Sequence, residues 1–197
     1  MEVIGWIVLG LIAIIAIWLV SAYNKLVGLK NRVQNAWGQI DVQLQRRYDL
    51  IPNLVEAVKG YMEHEKGTLK MVVDARNQAQ QARQSLKESG GPTEGSLKEL
   101  LQAETSLEGG LSKLFALSES YPDLKANQNM AQLQEELAST ENKVAFSRQA
   151  YNDAVMNYNT AQEVFPTVLV ASTFGHKHTE LFQVKEEQAR EAVKVKF

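Results

Sequence analysis

The chain reads as an all-α protein: an N-terminal transmembrane helix continuing into a cytoplasmic antiparallel bundle of long helices, with a partly irregular C-terminal tail. Three observations predict this. An uncharged stretch, Val3 to Ala22 (VIGWIVLGLIAIIAIWLVSA), opens the chain. Apolar residues then recur at three- and four-residue steps almost without interruption to Phe165. The four prolines each fall where that pattern changes. The expected divisions are an anchor over 1–22, a helical domain over 23–166 and a C-terminal segment over 167–197.

The first stretch is the right length for a bilayer. At 1.5 Å per residue, twenty helical residues reach about 30 Å, the thickness of the hydrocarbon layer. Val20-Ser21-Ala22 has the small-residue spacing that a signal peptidase tolerates. Against cleavage, no Lys or Arg precedes the apolar run, and the run exceeds a usual signal core. An uncleaved single span is therefore expected. Lys25, Lys30 and Arg32 follow the span, whereas only Glu2 and the amino terminus precede it. The positive-inside rule then puts a few residues outside and the body in the cytoplasm.

Of 197 residues, those after the span are enough for one domain with its own core. The net charge of −2 is unevenly placed. Five basic residues (Lys25, Lys30, Arg32, Arg46, Arg47) stand against Asp41 and Asp49 between residues 23 and 52. This segment suits a solvated helix beside the membrane, and its first cations suit anionic headgroups at about 1 kcal/mol each. No cysteine is present, which removes disulfides, thiolate metal sites and cysteine nucleophiles together.

From Tyr23 to Ile51 the apolar positions are Leu26, Leu29, Val33, Trp37, Ile40, Leu44, Tyr48 and Ile51. The anchor helix is expected to run straight into this stretch, and its long apolar stripe must be covered. Pro52 lacks an amide hydrogen and clashes with the preceding turn, so a kink or break is predicted near Ile51. The pattern resumes with Leu54, Val55, Val58 and Tyr61 and continues to Leu86, with Gly60 and Gly67 as tolerated interruptions. Ser89 to Gly95 (SGGPTEG) is the clearest break. Ser96-Leu-Lys-Glu99 then reads as a capping box opening a leucine-rich helix. Within it, Gly109-Gly110 marks a weak spot or a close helix approach, and Tyr121-Pro122-Asp123 ends it.

The most regular element runs from about Asn127 to Phe165. Met130, Leu133, Leu137, Thr140, Val144, Ser147, Tyr151, Ala154, Tyr158, Ala161 and Phe165 form a bundle or coiled-coil seam, with Thr140 and Ser147 as polar register positions. Pro166 stops it. Beyond lie a β-branched run (TVLVASTF), expected to lie along the bundle, and a charged tail ending in AVKVKF, a weak strand signal.

No chemistry stands out. His64 lacks the second histidine of a HExxH zinc site and reads as an exposed helix residue. His176 and His178 alternate around Lys177, but no third metal ligand is indicated. There is no phosphate-binding glycine loop, and basic residues are mixed with acids, which argues against nucleic acid. No catalytic, cofactor-binding or metal residue is assigned, and neither a cofactor nor a small-molecule substrate is expected. What is unusual is polar residues on helices. Asn31, Arg32, Asn35, Asp41, Arg46, Arg47, Asp49 and Asn53 lie on one, and Asn127, Asn129, Asn142, Asn152, Asn157 and Asn159 on the other. Asparagine is a poor helix former. Either a buried hydrogen-bond network fixes helix register or these faces meet a partner, and register is favoured.

Two runs carry a resemblance. NRVQNAWGQIDVQLQRRYDLIPNLVEAVKGYMEHE (31–65) and YPDLKANQNMAQLQEELASTENKVAFSRQAYNDAVMNYN (121–159) resemble the two signatures of the bacterial LemA family. The likeness extends over nearly the whole chain, anchor included. The tail departs from the pattern, with Thr167 and Ala171-Ser172 where the family has an Asn and an Ala-Gly pair. The resemblance implies a single-pass protein of the bacterial inner membrane with a cytoplasmic helical bundle and no known catalytic activity. Family members are encoded near membrane proteases of the zinc type, and a magnetosome member is linked to membrane invagination. The function expected is a non-catalytic scaffold that self-associates as a homo-oligomer and organises or shapes the bilayer. The alternative is an adaptor for a membrane-bound zinc protease or another membrane enzyme.

Overall fold

The structure is a computed structural model that describes residues 2–62 and 64–183. Six helices occur in it: α1 (Glu2–Lys59), α2 (Lys66–Glu88), α3 (Glu94–Ser118), α4 (Pro122–Lys125), α5 (Gln128–Glu163) and α6 (Thr167–Thr173). Among the described residues there is no strand. The AVKVKF segment, with its weak strand signal, lies outside the described residues. Two compact units result. One comprises the residues to Arg47 with Glu136–Leu181, and the other centres on Tyr48–Glu135.

In the first unit, α1 and α5 run antiparallel. Arg47 bonds to Glu141, the Trp37 and Tyr151 rings lie 5.8 Å apart, and Ala22 and Leu26 cluster with Ala161. As the α1 number falls the α5 number rises, which only opposed helices allow. The predicted seam is largely this interface. Leu137, Thr140, Val144, Tyr151, Tyr158 and Ala161 are all buried. Val155, on the same face, is buried too and was not in the predicted seam. Phe165 corrects the other end. It lies beyond Glu163, where α5 stops, and is exposed. Thr140 turns its hydroxyl to the Glu136 carbonyl at 2.7 Å, satisfying itself within its own helix.

The segment after Pro166 is helical despite its β-branched composition. Val170 and Ala171 of α6 close over Ala22, Leu26 and Ala161, with Trp18 and Leu29 packed alongside. Burial against α1 and α5 outweighs the modest helix penalty of valine and threonine.

The second unit decides between the two outcomes expected near Ile51: Pro52 lies inside α1, so the helix is not broken there. A proline at 52 cannot donate to the carbonyl of residue 48. Here Arg76 of α2 supplies the missing donor, its Nε reaching the Tyr48 carbonyl oxygen at 3.1 Å. With Ile51, Leu54 and Val58 buried on either side, helical geometry is held through the proline. The chain leaves the helix after Lys59, and α2 begins at Lys66.

Helices α2 and α3 form an antiparallel hairpin. Gly90 and Gly91 have φ of +84° and +129°, values that only glycine adopts without strain. Val72 and Gly110, equidistant in sequence from Gly91, meet across the pair. A β-carbon built on Gly110 would lie 3.5 Å from Val72 Cγ2, so this is the close approach, while Gly109 faces open space. The predicted capping box is displaced by one turn. Thr93 caps α3, with its side chain accepting from the Ser96 amide and Ser96 accepting from the Thr93 amide. At the start of α5, Asn127 Oδ1 accepts the amides of Asn129 (2.9 Å) and Met130 (3.3 Å).

Candidate functional site

Three polar clusters and one apolar surface carry what chemistry the fold displays. In the first unit, the buried guanidinium of Arg47 pairs with Glu141, whose carboxylate reaches solvent on its other side. In the second, the buried Tyr48 hydroxyl donates to Glu104, itself buried on α3. These pairs tie α1 to α5 and α1 to α3, as expected of register-setting polar groups.

The third cluster holds a strap, residues 174–180, that is neither helix nor strand, along α5. Tyr151 donates its hydroxyl to the Glu180 carbonyl at 2.9 Å. Asn159 donates Nδ2 to the Thr179 carbonyl (2.9 Å) and accepts the Thr179 amide on Oδ1 (3.0 Å). Tyr158 meets His176 Nδ1 at 2.8 Å. Burial, with some contribution from the Glu180 charge, pushes the Tyr151 phenol well above its ordinary value. Burial raises the Tyr158 phenol as well. His176 is held below the usual histidine value by burial first and by the Lys30 charge second. A protonated phenol facing a neutral imidazole fits one arrangement, with Tyr158 donating and His176 accepting. The Tyr23 ring lies 4.7 Å from Phe174 and 6.3 Å from His176, completing an aromatic group where α1 leaves its apolar stretch.

The histidines of the sequence reading have different fates. His176 and His178 do not converge, because His178 Nε2 bonds to Glu163 Oε1 at 2.6 Å. His64 is exposed but sits in the turn after α1 rather than on a helix. It lines an open groove of about 1000 Å³ with Lys59, Lys66 and Lys70, where Lys59 pairs with Glu56 at 3.6 Å. Among the described residues no group of three or more His, Cys, Asp or Glu side chains is placed to hold a metal. The asparagines divide. Asn159 and Asn127 make long-range bonds, the latter to the Tyr61 hydroxyl at 3.1 Å. Asn31, Asn35, Asn53, Asn142 and Asn157 are exposed.

The apolar surface is the beginning of α1. It is the one helix among the described residues long and apolar enough to cross a membrane, and none of its most apolar window is buried. A core helix would be covered by the rest of the chain; this one is bare.

The sequence model of the LemA family matches residues 36–197. The chain belongs to the LemA family. The match opens at Ala36, after the bare stretch of α1. Relatives extend further. Magnetosome protein MamQ 2 of Paramagnetospirillum magneticum is 28% identical over 192 residues, covering 90% of this chain and 70% of its own. Magnetosome protein MamQ of Magnetospirillum gryphiswaldense is 27% identical with the same coverage. Protein LemA of Metamycoplasma hominis is 26% identical over 167 residues, covering 85% of this chain and 71% of its own. LemA membership and the bare helix together support a membrane protein.

What the sequence reading missed is the strap and the Tyr48–Glu104 pair. The only signal was tyrosine at buried helical positions (48, 151 and 158), since a buried phenol needs a hydrogen-bond partner.

Proposed function

We propose that this LemA-family chain is a non-catalytic scaffold anchored once in the bacterial inner membrane. Its short N-terminus lies outside and its helices form an antiparallel bundle in the cytoplasm, where the protein self-associates and organises the bilayer. The observation that carries the reading is α1 itself. The helix that is bare and apolar from Val3 onward is the same unbroken helix that buries Leu26, Val33, Ile40 and Leu44 further on. A span joined to its body without a linker suits a load-bearing or spacing element more than a tethered enzyme. Self-association draws support from α5, which leaves Phe146 and Met156 exposed. Two of the relatives named above are magnetosome proteins and the third is a protein LemA; none of these names is that of an enzyme.

The mass of the particle extracted in mild detergent tests this. A defined homo-oligomer is expected, and a monomer at every concentration overturns it. A reproducible complex with a different membrane protein replaces the scaffold by the adaptor. A reporter fused at Phe197 that is active only outside the inner membrane inverts the topology.

A further inference from the structure

From Val164 to Gly175 (VFPTVLVASTFG) the chain carries no charge. Its apolar side chains face two ways. Val170 and Ala171 are buried, closed against Ala22, Leu26 and Ala161. The larger ones face outward: Phe165 is 80% exposed, Leu169 59%, Phe174 59% and Val164 48%. In water such a cluster is unfavourable, and contiguous exposed apolar surface marks a contact with something.

The buried residues of α6 fix its level along α1. Trp18 and Ala22 belong to the last apolar turns of the stretch that begins at Val3, and Leu26 lies one turn further on. The first cations of α1, Lys25 and Lys30, stand at the same end. The corner between α5 and α6 therefore sits where the apolar run gives way to charge. We propose that this corner is a second membrane contact, with Phe165, Leu169 and Phe174 entering the boundary between headgroups and acyl chains beside α1. The proposal rests on α1 spanning the bilayer.

Three observations select lipid as the occupant. The exposed cluster adjoins the bare surface of α1, because Val170 and Ala171 of α6 share a core with Ala22 and Leu26, and Trp18 packs against that core. Aromatic rings collect at this level, Tyr23 against Phe174 at 4.7 Å with Trp18 close by, as they do at membrane–water interfaces. The charges flanking the corner also suit a headgroup layer. Glu163 is paired with His178 at 2.6 Å, and Lys177 is exposed. The contact makes the protein grip the bilayer by a span and an adjoining wedge in one leaflet. A wedge on one side displaces headgroups there and not in the opposite leaflet.

The chain has no cysteine, so single substitutions place spin labels without background. Full-length Phe165→Cys and Leu169→Cys proteins are labelled and reconstituted in vesicles of phosphatidylethanolamine and phosphatidylglycerol. Collision with oxygen, which concentrates in lipid, is compared with collision with a water-soluble nickel chelate. Ile12→Cys in the apolar stretch and Gln149→Cys on the exposed side of α5 are the references. Labels at 165 and 169 are expected to show an oxygen-to-nickel ratio several-fold above that at 149 and below that at 12. If 12 reports lipid while 165 and 169 match 149, the corner stays in water and the wedge is overturned. Exclusion of both reagents at 165 and 169 means that protein covers the corner, which also overturns it. If 12 itself reports water, the spanning reading falls first and the wedge with it.

Discussion

Arg76 donates its guanidinium Nε to the backbone carbonyl of Tyr48, four residues before a proline that cannot. The bond lets α1 pass through Pro52 without losing a carbonyl partner. It also pins α2 to α1 at a point that no local rule predicts. Replacing Arg76 by Met keeps most of the aliphatic bulk and removes the donor, with an expected cost of about 1–3 kcal/mol. Pro52→Ala restores the amide at 52, so the Arg76→Met penalty should shrink in that background. A double-mutant cycle by denaturant unfolding measures the coupling, and equal penalties in both backgrounds would show that the bond does not stand in for the missing amide.

The two glycines of α3 should respond differently. Gly109→Ala meets nothing and gains helix propensity, about 0.5–1 kcal/mol of stability. Gly110→Ala places its β-carbon in ordinary contact with Val72 and is tolerated. Gly110→Leu overfills the approach and costs about 1–3 kcal/mol. Thermal unfolding of the three variants checks the order.

Asn159 holds both backbone groups of Thr179, whereas Asn157, two residues earlier, is exposed. Asn159→Ala should release the strap, accelerating hydrogen exchange at the Thr179 amide by an amount equivalent to about 1–3 kcal/mol. Asn157→Ala should leave that exchange within about 0.5 kcal/mol of the parent. Equal effects from the two would mean that the asparagines act only through helix propensity.

Strap docking should weaken in acid. His176 has a pKa below its ordinary 6.5 in the folded chain. The unfolded state therefore binds the proton first as the pH falls. The stability linked to this group is fully present above about pH 6.5 and is lost as the pH drops through the lowered folded value. Its surroundings agree, since Tyr158 and Tyr23 face the ring and Lys30 supplies the unfavourable charge. A His178→Gln background leaves His176 as the one imidazole of the strap, and the titration is read there. An imidazole titration by NMR that places His176 above 6.5 would reverse the sign and remove the effect.

Periodicity made α1, α5 and their facing residues legible. Tyr151 and Tyr158, one heptad apart, are buried where the seam put them. The same rule misled at Phe165, because spacing says that a residue is on an apolar face but not where the helix stops. Local rules allowed a kink or a break at Pro52; the helix instead runs on to Lys59, and the carbonyl that the proline leaves without a donor is met by Arg76, a residue on another helix. The strap was illegible for a related reason. Irregular backbone held by side-chain bonds from a neighbouring helix leaves no periodic mark in its own sequence. Thr93 and Ser96 made a cap from a threonine–serine pair, whereas the expected box began at Ser96 and ended at Glu99.

Between Ala22 and Leu26 helix α1 passes from bare apolar surface to packed core with no glycine pair, proline or turn. A joint of that kind carries bending moment and torsion. A protein on a floppy leash ignores how its anchor leans, but one on a stiff shaft must lean with it. With α1 spanning the bilayer as proposed, a change in bilayer thickness that tips the shaft would be felt by the side chains packed around it.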